Sequence, residues 1–313
     1  LAWVFGAIAL ATGPTVISPM VRQMRLLPGL AQVLEAEGLI LEPAAAVLAL
    51  LLLQLALGVL PDWPAVAELL VLRLGGGALL GALAGGLLVL LLERLPADSD
   101  GLRLQLVLGV LFLLVAGTQM LLPEGGFPAA VMAGVVVGLR LEQQATQLDE
   151  LIFQLAQLAI TVLFPLLAAD VSWGELSPLG WGGVACVLCL MLYRWLVVQV
   201  AGLGIASLAW RDKLMLSWVA PRGIVTAAVA SLFALQLDAA GVSGGGSLKG
   251  LVFLTILLSV GLQGFSAPWL AQRLGLVQAE DPSEAALDAA AGLTAGLEQQ
   301  PGGEQIGALK AAE

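Results

Sequence analysis

What most limits the fold of this chain is a succession of long, uninterrupted apolar runs, typified by LLGALAGGLLVLLL (79–92) and LVFLTILLSVGLQGF (251–265). Several approach or exceed the roughly 20 residues that cross the hydrocarbon core of a bilayer. With 59% hydrophobic and 12% charged residues and a mean hydropathy of +0.98, a soluble core built from them would have almost no polar faces to turn to water. The expectation is an all-α integral membrane protein whose principal partner is the lipid bilayer.

Proline, glycine and charge divide the apolar sequence into nine expected spans, near 1–21, 31–58, 65–92, 104–122, 127–139, 149–169, 179–204, 214–235 and 249–272. The fifth is short enough to borrow part of the PEGG loop. Lys and Arg divide unevenly among the connections. Arg22, Arg25, Arg94, Arg103, Arg140, Arg211, Lys213, Arg273 and Lys310 fall on one side, and only Lys249 falls on the other. Cytoplasmic connections carry the basic excess, so the first span runs inward and the C-terminal tail is cytoplasmic.

The net charge of −10 arises largely in the segment 277–313, which reads as a low-complexity cytoplasmic linker with one short helix at SEAALDAAAGL. It leads toward an expected regulatory domain beyond this sequence. Because it sits mostly in the tail, the charge says little about partners; no nucleic-acid partner is expected. Cys186 and Cys189, the two cysteines, lie in an apolar helix with no His in the chain to complete a metal site, so packing is their expected role. Proton chemistry falls to carboxylates. The opening LAWVFGAIAL lies already inside a span, and a missing upstream portion is expected.

Two spans carry backbone punctuation at mid-depth. ATGPTVISP has Gly13 and Pro14 roughly 13 Å from the cytoplasmic Arg22, and LSWVAPRGIVTAAVA has Pro221, Arg222 and Gly223 at similar depth on an oppositely directed helix. Proline removes an amide donor and glycine permits non-helical angles, so both helices should open there. Each broken span precedes an unbroken one, and the two pairs run oppositely, the pattern of an inverted repeat with half-helix termini around a midplane ion site.

The stretch LEAEGLILEP puts three carboxylates into the second span. Glu35 is near enough to the surface to be a rim charge, whereas Glu37 and Glu42 lie roughly 9 and 16 Å deep. Ionisable groups at such depth normally have a partner or a pathway. Arg222, roughly 12 Å deep, is the expected partner of Glu37, which leaves Glu42 without a counter-charge and able to take either a proton or a cation. Arg73 and Arg194 are expected to snorkel or pack, and Glu68 to sit at the outer interface.

ATGPTVISP, LEAEGLILEP and SWVAPRGIVTAAVASLFAL resemble, in order and spacing, the motifs of monovalent cation:proton antiporters of the NhaP/NHE type. The last resembles that family's W-x-G-P-R-G-I-V signature, with Ala220 in place of Gly, and the likeness covers about residues 1–276. It implies a homodimer with thirteen spans per chain, of which the nine here are the final ones, the first, second, seventh, eighth and ninth forming a moving core. By position, Thr12 matches a Thr that helps ligate the cation, Glu37 the Glu of G-E-S, Arg222 the Arg paired with it, and Glu42 the Asp that binds Na+ or H+ in turn. Gly13, Gly38 and Leu41 stand where the family has Asp, Ser and Asn, removing oxygen ligands, and Glu42 is one methylene longer than Asp.

The expected function is therefore secondary transport and not enzymatic catalysis. A monovalent cation, Na+ or K+, exchanges for H+ at Glu42 by alternating access, with no cofactor, in a bacterial inner membrane. The residues expected to act are Glu42, Glu37 and Thr12, supported by Arg222, Gly13, Pro14, Gly38, Leu41, Pro221 and Gly223. Two alternatives stand beside it: a non-transporting sensor or regulatory homologue with a degenerate site, and a cation channel.

Overall fold

A computed structural model of the chain describes residues 1–95, 100–205 and 208–278; for residue 100 and for residues 142–150 it describes the backbone. The tail beyond 278, with its expected helix, lies outside the described residues. The first span divides into α1 (Ala2–Leu10) and α2 (Pro14–Met24), and α3 (Pro28–Ala56), α4 (Trp63–Leu92), α5 (Asp100–Leu121), α6 (Gly126–Arg140) and α7 (Glu142–Ala169) follow. A short turn of helix, α8 (Trp173–Leu176), precedes α9 (Gly180–Ala201). The eighth span divides into α10 (Trp210–Trp218) and α11 (Ile224–Ala239), and α12 (Gly245–Leu274) completes the order. Seven helical stretches are long and apolar enough to cross a membrane, and α6 and the broken α10–α11 bring the spans to the nine read from sequence.

The boundaries differ where polar turns continue a helix past the apolar run. α7 begins at Glu142, not near 149, because EQQATQLDE is made of adequate helix formers that hydropathy excludes from the span. α6 starts at Gly126, so the fifth span borrows only the last residue of the PEGG loop. Its shortness is offset by close backbone packing. Gly77, Gly81 and Gly85, four apart on one face of α4, meet Gly125, Ala129 and Ala133 so closely that a methyl on Gly81 would overlap the Ala129 backbone. Small residues at this spacing let membrane helices associate through backbone contact.

A second packing centre joins α1, α3, α11 and α12. Val4, Ile8, Val47, Leu51, Phe233 and Val252 are each at most 2% exposed within one apolar cluster. The two broken spans and their unbroken neighbours are thus packed together, with α1 against α3 and α11 against α12.

Candidate ion site at the crossing of two broken helices

Both broken spans lose helical backbone where Pro and Gly coincide. Ala11 and Gly13 are extended (φ −61, ψ 123 and φ −81, ψ 115), as are Val219 and Gly223 (φ −84, ψ 100 and φ −95, ψ 178). Pro19, Pro43, Pro165 and Pro268 stay within continuous helices, so proline alone does not open a span here. At the two openings other groups take over the freed backbone. The Gly13 amide donates to Pro221 O at 3.2 Å, the Ala220 amide to Gln263 Oε1 at 3.1 Å, and the Arg222 amide to Ser259 Oγ at 3.4 Å. Thr12, Gly13 and residues 219–223 are buried, as non-helical backbone at membrane depth must be.

The breaks press against each other at their glycines. A methyl built on Gly13 would overlap Gly223 Cα, and one built on Gly223 would come within 2.8 Å of Gly13 Cα. On α3, Leu34, Gly38, Glu42 and Ala45 form a buried row at helical spacing. Gly38 abuts the first break, its α-hydrogen side facing Thr12 O and Pro14 N, and Glu42 sits one turn further on. Thus Thr12, Gly13, Pro14, Gly38, Glu42, Pro221 and Gly223 lie together at the crossing. Leu41 is half-buried and does not line the cavity beside Glu42.

The charges pair differently from expectation. Glu37 binds Arg194 through both carboxylate oxygens, with Nη2 to Oε2 at 2.6 Å, and not Arg222. Arg194 was expected to snorkel or pack. Its helix, α9, lies against α10, and the side chain reaches both Glu37 and Leu216 O at 3.0 Å. Arg222 instead donates from Nη1 to Leu10 O at 3.2 Å and to Ala11 O at 2.9 Å. Depth alone could not choose between two arginines that both lie near Glu37 in height. Each guanidinium satisfies the open C-terminal carbonyls of one half-helix, Arg222 those of α1 and Arg194 one of α10, where the helix dipole favours positive charge.

Glu42 is 8% exposed, and its Oε1 has no hydrogen-bond partner. No ion pair reaches it among the described residues. A cavity of about 10 Å³ adjoins it, walled by Ile8, Ala11, Ala45, Thr226 and Val229 among others. The hydroxyls of Thr12, Thr15 and Thr226 are also buried without partners. Thr15 and Thr226 were not singled out in the sequence, nor were Ser259 and Gln263, and Arg194 was given only a packing role. A signal existed for the threonines, since both stand within one turn of a break. A larger cavity of about 620 Å³ lies among α9, α10 and α12, touching Arg194, Arg222, Ser259 and Gln263 but not Glu42.

Near the opposite connections, Lys249 at the start of α12 holds Asp170 Oδ2 at 2.9 Å and Glu175 Oε1 at 3.3 Å, and donates to Asp170 O at 2.7 Å. The hydrogen bond from Lys249 holds the Asp170 carboxyl below its usual range.

A family model described as sodium/hydrogen exchanger, transmembrane, matches residues 1–273. Among curated proteins, the Na(+)/H(+) antiporter 1 of Methanocaldococcus jannaschii is 28% identical over 87% of this chain and 68% of its own length. The probable Na(+)/H(+) antiporter 2 of the same organism is 25% identical over 73% of this chain, and the match spans 56% of that relative's length. The solved structure of the sodium proton antiporter MjNhaP1 from M. jannaschii at pH 8 superposes with a TM-score of 0.75 at 26% identity, covering 87% of this chain and 70% of that one.

Proposed function

The chain belongs to the sodium/hydrogen exchanger family of transmembrane proteins, and on that premise we propose that it exchanges a monovalent cation, Na+ or K+, for a proton at Glu42. The observation that carries this reading is the isolation of Glu42, a buried carboxylate with an unpartnered Oε1 at the crossing of two broken helices. A carboxylate in that position needs one positive charge, and a proton and an alkali cation supply it equally. Binding one therefore expels the other.

The neighbouring charges leave that competition undisturbed. Glu37 and Arg194 neutralise each other, and Arg222 faces helix carbonyls. The N-termini of α2 and α11 begin beside the site, and their dipoles favour the ionised carboxylate once the proton has left. One charge entering as one leaves makes the exchange electroneutral. Access alternates by movement of the core containing α1–α3 and α9–α12. The assembly is a homodimer in a bacterial inner membrane, with the C-terminal tail on the cytoplasmic side.

The test is proton efflux from everted vesicles on addition of Na+, K+ or Li+, using the full chain and Glu42→Gln. Efflux that is electroneutral and abolished by the substitution is expected. No response to any cation would sink the transport reading in favour of a homologue with a retired site, and an unchanged response in the variant would remove Glu42 from the mechanism.

A further inference from the structure

Hydroxyl groups in membrane helices ordinarily bond back to a carbonyl of their own helix. That is what Thr255, Ser217, Thr161 and Ser266 do, with Oγ donating to Leu251 O, Lys213 O, Gln157 O and Leu262 O at 2.6–2.8 Å. Thr12, Thr15 and Thr226 do not, and their hydroxyl oxygens are buried without any partner. The cause is local. The residues four positions before Thr15 and Thr226 are Ala11 and Arg222, which belong to the breaks and present no helical carbonyl behind them.

Two of these orphaned oxygens lie beside Glu42. From the Cβ position above Gly223, Thr15 Oγ1 lies at 3.2 Å and Glu42 Oε1 at 3.3 Å, while Thr226 shares with Glu42 the walls of the small cavity. Thr226 and Thr12 are 3% and 2% exposed, so water from the surface does not satisfy them. Gly13, Gly38 and Leu41, meanwhile, contribute no side-chain oxygen.

We propose that the hydroxyls of Thr15 and Thr226, one from the first turn of the second half-helix of each broken span, complete with Thr12 the oxygen shell of a dehydrated alkali cation on Glu42, and thereby favour Na+ and Li+ over K+. This rests on Glu42 being the exchange site. Hydroxyl oxygens keep two lone pairs for a hard cation, which takes oxygen ligands. The cavity of about 10 Å³ is about what a single water needs, so no hydrated ion fits and the smaller bare ions are preferred.

The test uses the full chain in proteoliposomes, with Thr15→Val, Thr226→Val and Thr226→Ser, driven by Na+, Li+ or K+ chloride. Each valine variant should raise KM for Na+ and Li+ about tenfold, the loss of roughly one charge-assisted contact, with kcat nearly unchanged and KM for K+ little affected. Serine, which keeps the hydroxyl, should restore the wild-type KM. In detergent, stabilisation of the wild type against melting by Na+ should be lost in Thr226→Val, or in Thr226→Ala if the valine variant does not fold. If Glu42→Gln abolishes exchange while both valine variants keep the wild-type KM, the hydroxyls are not ligands and the Glu42 reading survives. If the wild type moves no cation, the Glu42 transport reading falls, and the melting shift decides for the threonines: its presence and loss in the variant support the shell, its absence in the wild type overturns it.

Discussion

Gly13 and Gly223 set the chemistry of the residues around them by the space they deny. Their Cα atoms meet, so neither position tolerates a side chain, and the acid that the family's motif carries at position 13 has no room in this crossing. Beside the contact lie two side-chain oxygens, Thr15 Oγ1 and Glu42 Oε1. Among the charged residues, the Glu37–Arg194 pair is largely buried, with side chains 22% and 14% exposed. Removing one member strands the other. Arg194→Ala should therefore cost about 3–5 kcal/mol, Glu37→Gln less, and the double variant less than their sum, while Arg222→Ala should add independently of Glu37→Gln. Melting curves in detergent for the two cycles check this; coupling of Glu37 to Arg222 instead of Arg194 would contradict the pairing. The sequence left Glu42 as the isolated carboxylate by giving Arg222 to Glu37; Glu42 Oε1 is unpartnered in the structure for a different reason, since Arg222 is held by the Leu10 and Ala11 carbonyls. The sequence misassigned the partner of Glu37, since Arg194 and Arg222 lie on different spans at similar depth and only helix adjacency separates them.

The elements were more legible than the contacts between them. Apolar run length located all nine spans, and the coincidence of Pro with Gly separated the two spans that open from the three unbroken ones with an internal proline, Pro43, Pro165 and Pro268. Less visible was why so short a helix as α6 is held. Its face of Gly125, Ala129 and Ala133 fits the glycine row of α4, a fit of backbone to backbone that no hydropathy profile registers. Gly81→Ala should lower stability by about 2 kcal/mol, because its methyl would have to displace the Ala129 backbone. Gly86→Ala, one turn away with nothing within 4 Å of its added methyl, should be neutral or slightly stabilising. Thermal melting in detergent distinguishes the two, and equal effects would mean that the row does not hold the helices together.

Across the whole molecule, Lys249 ties the end of the sixth span to the start of the ninth through Asp170 and Glu175. Because the folded Asp170 carboxyl titrates below its unfolded value, the stability that it contributes is present above about pH 4 and is lost as pH falls through the folded value. Asp170→Asn should lower the melting temperature at pH 7, and the difference from wild type should close in acid below about pH 4. A gap that persists there would assign the effect to something other than this ion pair. The sole basic residue of the sparsely charged connections is thus spent on a structural tie, which the count of Lys and Arg alone did not disclose.

The solitude of Glu42 has a kinetic side. On the proposed exchange, Glu42 without an ion has no ion-pair partner to shield it, since Arg222, the cation that moves with the same core, is held by the Leu10 and Ala11 carbonyls. An ionised group without a partner is costly at membrane depth, so the unloaded core should cross more slowly than either loaded form. The isolation that draws the ion in would then also suppress slippage.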